Sequence, residues 1–383
     1  MPSDLGSDIV ESQPSAGPSA GRRIATALSF RNISAIYILV ALIAVYSVWV
    51  PSTFLTAAVW RSLLDNSSLT ALAAVGLVIP LSAGAFDLAI GAEVGTGAIV
   101  VAWLLARHHL PVGASFLLTI VFGAGIGVVT GLLVTKARID SFIATLGMSS
   151  ILLALIAWLS GGQQLVNLGA SFQAVATDQL FGLTYPVWIM LLVGLLVWYV
   201  LERTSTGRRV YATGGNASAA RLAGVPTGLV VVASLAACGT IAALAGSLAS
   251  SQLATGDPTI GPAYLLPASA AAFLGSTQFR GGRYNVWGTI LAVYVLAIGV
   301  KGLQLGGAPV WIPDLFNGVA LLLAVGLSRF QRTASRASAV RRTLRRADAD
   351  RADDGTPARA ESAPVAPPGP GPGSMSLEQS VRS

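Results

Sequence analysis

The sequence predicts an all-α polytopic membrane protein of about ten transmembrane helices, and three observations predict it. The chain is 54% hydrophobic and only 11% charged over 383 residues, where soluble domains carry roughly 25% charged residues. Mean hydropathy is correspondingly high, at +0.70. Apolar runs near the roughly 20 residues that cross a bilayer recur at 33–50, 66–84, 88–106, 113–135, 141–160, 186–201, 226–250, 263–278, 285–305 and 311–328. Lys and Arg also gather on alternate sides of those runs. With a cytoplasmic N-terminus, the inside collects Arg22, Arg23, Arg31, Lys136, Arg138, Arg203, Arg208, Arg209, Arg221, Arg280, Arg283 and every Arg from Arg329 onward. Of the 24 basic residues, only Arg61, Arg107 and Lys301 fall elsewhere. This is the positive-inside pattern, and it puts both termini in the cytoplasm. The same placement argues against nucleic acid as a partner, although the pI is near 10.0, because the charge forms no basic face.

Taken in order, residues 1–32 are rich in Ser, Gly and Pro and lack the basic region, short apolar core and cleavage site of a secretory signal. They read as a disordered cytoplasmic segment, with the span that follows retained. The second and third spans are interrupted by Pro80, Gly84, Asp87 and Glu93. Asp87 and Glu93 are the only acids between Asp65 and Asp140. Two readings stay open. A broken helix would line a pathway with these carboxylates, since acids within the bilayer face protein or water. Alternatively, residues 84–95 form a cytoplasmic turn with Asp87 as a helix N-cap. A proton relay has less support, because no basic partner lies nearby. His108 and His109 read as an interfacial turn, and with no second cluster of ligands the chain is expected to hold no metal. Trp49, Trp60, Trp103, Trp188 and Trp311 lie near span ends, as an aromatic belt requires.

The loop 202–225, ERTSTGRRVYATGGNASAARLAGV, carries explicit helix signals. Asn216 is a good N-cap, Ala217 to Ala223 favours helix, Gly224 stands where a C-terminal cap belongs, and Pro226 blocks continuation. A two-turn helix of about 10 Å is marginal alone, so it needs a surface, to which Ala219, Ala220 and Leu222 offer small apolar contacts and Arg221 a charge. Cys238, the single cysteine, lies in the seventh span and reads as a small hydrophobe. Pro267 interrupts the eighth span, Gly281-Gly282 reads as a tight cytoplasmic turn, and Lys301 snorkels to the interface. Residues 329–383, Arg-rich and then Pro/Gly-rich, read as a disordered tail whose basic part is attracted to anionic lipid. Asp87-Leu-Ala-Ile-Gly91 and Asp257-Pro-Thr-Ile-Gly261 share D-x-x-I-G, which is what a five-plus-five inverted repeat would produce. No G-x-x-x-x-G-K-[ST] occurs, so the chain is expected to be non-catalytic and not its own ATP motor.

These motifs carry a resemblance. GRRVYATGGNASAARLAG at 207–224 resembles the cytoplasmic coupling loop of ribose-type sugar permeases of ABC importers, in the wider branched-chain amino-acid and sugar permease superfamily. AGAFDLAIGAEVG at 83–95, FIATLGMSSILLALIAWLSGGQQLV at 142–166 and FLGSTQFRGGRYNVWGTILAVYVL at 273–296 resemble three further segments of that family, so the likeness covers about 30–330. Ala85-Phe86 replaces the family's usual Gly-Gly before the Asp, Ala89 its Ser, and Ser276 and Tyr284 stand where glycine is common. The resemblance implies a permease for a monosaccharide or related small polar solute in the bacterial inner membrane. It also implies a separate ABC ATPase subunit carrying ATP and Mg, an extracytoplasmic solute-binding protein, a second permease subunit forming a homodimer, and surrounding membrane lipid; no cofactor is expected in this chain. Carried over by position, Tyr211, Gly214, Gly215, Asn216, Ala219, Ala220, Arg221, Leu222 and Gly224 would couple to the ATPase. Asp87, Gly91, Glu93, Thr145 and Asp257 would lie along the translocation pathway. The alternatives are a branched-chain amino-acid or nucleoside permease of the superfamily, an ion-driven secondary transporter, and a membrane scaffold or receptor.

Overall fold

The computed structural model describes residues 30–278 and 283–326. Almost all of the segment 1–32, the turn at Gly281-Gly282 and the whole tail 329–383 lie outside the described residues. Ten long helices stand at the ten apolar runs. They are α1 (Phe30–Trp49), α3 (Ala57–Ala83), α4 (Ile90–His108), α5 (Val112–Thr135), α6 (Ser141–Ser160), α8 (Tyr185–Arg203), α11 (Thr227–Leu253), α12 (Pro262–Gln278) and α13 (Val286–Leu305), with α14 (Ile312–Gly326) last. Between them come α2 (Pro51–Phe54), α7 (Ala170–Thr177), a small hairpin of β1 (Gln179–Leu180) and β2 (Leu183–Thr184), α9 (Ser205–Gly215) and α10 (Ala217–Leu222).

Seven of these helices are long and apolar enough to cross a membrane. The remaining three are weaker: α12 has 17 residues and carries Pro267, and the apolar stretches of α1 and α14 are Ile36–Trp49 and Ile312–Gly326. The second helix begins at Ala57 rather than 66, because Arg61 and Asp65 are accommodated inside it. Thr184 Oγ1 donates to Asp65 Oδ1 at 2.7 Å, tying the start of α3 to the hairpin.

The core is organised around α11, which packs on α3, α4 and α5. Near neighbours are separated by almost no side chain. A Cβ on Gly123 of α5 would run into the Gly239 carbonyl of α11, and one on Gly239 into the Gly123 carbonyl. Small residues let helix backbones approach where lipid offers no hydrophobic drive to association. The outward faces of α5, α6 and α8 instead present Val121, Phe122, Ile143, Trp158, Leu192 and Leu196 in the open, surface suited to acyl chains.

An internal symmetry is visible in these bounds. A shift of 170 residues carries Ala57–Ala83 onto Thr227–Leu253, each of 27 residues. The same shift carries the left-handed cap Gly84 (φ 84°) onto Ala254 (φ 54°), Asp87 onto Asp257, and the end of α5 at Thr135 onto the end of α13 at Leu305. The two 27-residue helices run antiparallel, since Asn66 pairs with Gln252 while Gly76 touches Ile241. The repeated halves therefore point in opposite directions.

Candidate functional site

The chain leaves helical geometry between α3 and α4, and each hydrogen bond that replaces the helical ladder can be traced. Gly84 takes φ 84° and donates to the Leu81 carbonyl, and Ala85 N–H donates to Pro80 O at 2.9 Å. Phe86 N–H is taken by Ser141 Oγ at 3.2 Å and Leu88 N–H by Thr145 Oγ1 at 3.1 Å. Asp87 Oδ1 accepts from Ala89 N–H at 2.9 Å. Ser141 and Thr145 stand one turn apart at the start of α6, so their hydroxyls meet alternate amides of an extended segment. Non-helical backbone inside a membrane protein survives where protein satisfies it in this way. Thr145, expected to face the pathway, is fully buried and holds the break in place. Ser141 does the same work, and the motif reading had not singled it out.

Asp87 closes a turn just before α4 by accepting from Ala89 N–H and at the same time lies deep in the bundle. Its carboxylate, that of Glu93 in the first turn of α4, and the Cys238 thiol lie within 4.8 Å of one another, all buried. Cys238 is eleven residues into α11, about 17 Å along it at 1.5 Å per residue, so Asp87 stands level with the middle of this 27-residue core helix. The segment is a break in the helical path, and the N-cap of α4 is Ala89 rather than Asp87. Asp87 Oδ2 and both Glu93 oxygens make no hydrogen bond. Cys238, read from sequence as a small hydrophobe, is the group sequence reasoning missed here, because only folding brings α11 to the break.

Cavities lie on both sides of the break. One, of about 570 Å³, is lined by Phe86, Asp87, Leu88, Phe142, Phe273 and Tyr284 among others. Its aromatic rings follow one another, Phe86 stacked on Phe142 and Phe273 with centroids 4.3 and 6.0 Å apart, and Phe273 meeting Tyr284 edge to face at 6.0 Å. The other, of about 840 Å³, is lined by Gly84, Ala85, Arg138, Asp140, Gly214 and Arg221 among others. The break is shared between two spaces of opposite character, one aromatic and one polar.

The second D-x-x-I-G segment meets the first. Asp257 repeats the Asp87 turn, its Oδ1 accepting from Thr259 N–H at 2.8 Å. Gly261 lies against Gly91 and Gly95, where an added Cβ would sit 2.5 Å from the Gly91 carbonyl. Gly91 therefore serves the packing of the two breaks. Asp257 itself is half-buried, takes a bond from Gln164 at 3.2 Å, and does not join the Asp87 cluster.

The remaining candidates lie together beyond α8. Asn216 caps α10 through Ala219 N–H at 3.0 Å. At its other end Val225 N–H donates to Ala220 O and Gly224 takes φ 81°, a Schellman ending. Ala220 is buried, but Asn216, Ala219 and Arg221 are exposed, and Leu222 is 91% exposed. Arg221 donates to Thr227 Oγ1 at 3.3 Å. The loop preceding α10 is in fact α9, eleven residues started by Thr204, whose Oγ1 accepts from Gly207 N–H. Three glycines and three Ser or Thr residues hid it. Gly214 packs so closely on the end of α3 that a Cβ would strike the Ser82 carbonyl, whereas Gly215 faces open space. Tyr211 O–H donates to the Tyr284 carbonyl at 2.9 Å, with Glu202 Oε1 3.4 Å away and the Arg283 guanidinium 4.1 Å above its ring. Burial, then Glu202, push this phenol up to about 12.

With this geometry in place, the chain can be set beside known proteins. A family model described as branched-chain amino acid transport system / permease component matches residues 61–325. The ribose import permease protein of Escherichia coli (strain K12) is 33% identical over 312 residues, 80% of this chain and 96% of the relative. That of Bacillus subtilis (strain 168) is 33% identical over 270 residues, 70% and 84%. An L-arabinose ABC transporter permease protein of Azospirillum brasilense is 28% identical over 303 residues, 79% and 88%. No solved structure matches the chain.

Proposed function

Because the chain belongs to the branched-chain amino acid transport system / permease component family, we propose that it is the multi-pass inner-membrane permease subunit of an ABC importer for a monosaccharide or related small polar solute. The sugar class comes from relatives named for ribose and L-arabinose, which the chain covers over most of their length. On this reading the chain has ten spans with both termini cytoplasmic and catalyses no reaction itself. A separate ATPase holds ATP and Mg, a binding protein delivers the solute outside, and two permease subunits pair as a homodimer.

The observation that carries the mechanism is the placing of α10 and the break on one cavity wall, through Gly84, Ala85, Gly214, Asn216 and Arg221. A six-residue helix is marginal in water, and exposed Leu222 gives it an apolar tip for a partner to cover. Closure of the ATPase would press on α10. Gly214, lodged against Ser82, would pass that displacement to α3 and the break. Nucleotide shifts the balance of outward- and inward-facing states only by its differential affinity for them. Asp87, which lines the aromatic cavity, would accept a hydroxyl of the passing solute. Gly91 and Thr145 hold the wall on which it stands.

Sugar uptake into proteoliposomes holding this chain, its ATPase and its binding protein tests the proposal. We expect uptake that requires ATP and is abolished by Arg221→Glu with the permease still folded. Uptake driven by an ion gradient without the ATPase would overturn it in favour of a secondary transporter.

A further inference from the structure

The break brings together a set of donor atoms of which the transport reading uses Asp87 alone. Asp87 comes from the non-helical segment, Glu93 from α4 and Cys238 from α11, and one ligand atom from each falls within 4.8 Å of the others. The three residues are 3%, 2% and 0% exposed. Three of the four carboxylate oxygens have no hydrogen-bond partner, and no Lys, Arg or His is buried among the described residues. Carboxylates in an apolar interior are paired or coordinate a metal. Two side by side without a cation do not remain charged. A single shared proton would engage two oxygens, with the Cys238 thiol able to donate to Asp87, but it would leave the pair carrying one uncompensated negative charge. A divalent cation would engage all three donors, setting two positive charges against the two carboxylates and the thiolate.

We propose that Asp87, Glu93 and Cys238 form a binding site for a divalent metal ion of borderline softness, of the zinc class, which fastens the break to α4 and α11. The donor set selects the class: a thiolate favours zinc over calcium or magnesium, and three protein ligands leave a fourth position for water. Asp87 also lines the 570 Å³ cavity, which supplies an access route. On binding, the Cys238 thiol gives its proton to solvent and its sulfur lone pair to the metal, as metal ligation requires. The ion would stabilise whichever conformation brings the three donors together, because it binds that state and not the others.

Metal content and thermal stability of the purified full chain, freed of affinity tags, test this, and neither readout depends on transport. Wild-type protein equilibrated with zinc and then dialysed should retain one equivalent per chain, melt higher with zinc and melt lower with a chelator. Glu93→Gln and Cys238→Ser should both lose the equivalent and the zinc-dependent shift. Should the variants fold poorly, X-ray absorption at the zinc edge of the wild type decides. It should show one sulfur neighbour at thiolate distance, which only Cys238, the sole cysteine, can supply. Zinc at background level, zinc without a sulfur neighbour, or equal retention by well-folded variants would overturn the site. Absent zinc together with a Glu93→Gln variant at least as stable as wild type would show that the pair holds a proton instead.

Discussion

Thr145 shows how one hydroxyl can decide whether a chain may leave helical geometry inside a bundle. It accepts from Leu88 N–H and donates to Ser141 O at 2.8 Å. Thr145→Val keeps the shape and strands a buried amide, at a cost of about 1–3 kcal/mol. We expect a lower melting temperature and lower uptake, with Thr145→Ser close to wild type; loss in Thr145→Ser with Thr145→Val close to wild type would place the requirement in the methyl group instead. Gly261 is constrained by space: Gly261→Ala would drive a methyl group into the Gly91 carbonyl, and overpacking of this kind costs about 1–3 kcal/mol. Tyr211 supplies a pH signature. Its phenol stands at about 12, above the ordinary value near 10, so the neutral form is the one folding favours. The stabilisation is complete below about pH 10 and is lost as pH rises through 12. Subtracting a Tyr211→Phe ultraviolet titration from that of wild type should isolate one phenol ionising near pH 12; a component near 10 would contradict its burial.

At the scale of elements, α10 is built to be stable only just enough to present itself. Six residues held by an Asn cap and a Schellman ending have little reserve. Asn216→Ala should remove about 1 kcal/mol of cap. Amide exchange at Ala219–Leu222 should speed up, and transport per ATP hydrolysed should fall, while the melting of the spans stays put. A simultaneous loss of span stability would assign α10 a structural role instead. The neighbouring α9 joins this helix to the rest. Gly214 rests on α3, and Tyr211 contacts both Arg283 and the Tyr284 carbonyl. Tyr284 in turn meets Phe273 edge to face at the aromatic cavity. A displacement of α9 therefore reaches both walls of the break through direct contacts.

For the whole molecule, the opposed halves make a definite statement about sidedness. Gln179 lies in the hairpin and Ser218 in α10, with α8 between them, and both are exposed. Cys238 is buried, so single cysteines placed elsewhere can be read against a silent background. Gln179→Cys should react with an impermeant maleimide from outside intact cells and Ser218→Cys only after the inner face is opened. Reaction of both from one side would refute the ten-span topology.

What the sequence determined by itself is whatever depends on local composition. Runs of about 20 apolar residues located each long helix, because length and hydrophobicity alone decide what a bilayer accepts. Asn216, Gly224 and Pro226 located α10, since caps are chemistry between near neighbours in the chain. Helix α9 escaped because its glycines and hydroxyl residues lower intrinsic propensity, and packing of Gly214 and Val210 outweighs that. The rest needed the tertiary structure. Whether Asp87 lies at an exposed turn or deep in the bundle could not be settled from residues 84–95 alone; the answer is set by α11, whose middle lies beside it. Cys238 stands 151 positions after Asp87 and 145 after Glu93, and no local pattern links residues so far apart. The repeated D-x-x-I-G hinted at symmetry, but that Gly91 and Gly261 touch follows from the folding of two antiparallel halves together. Local signals place elements, whereas the contacts that give buried polar groups their partners are made by the packing of those elements.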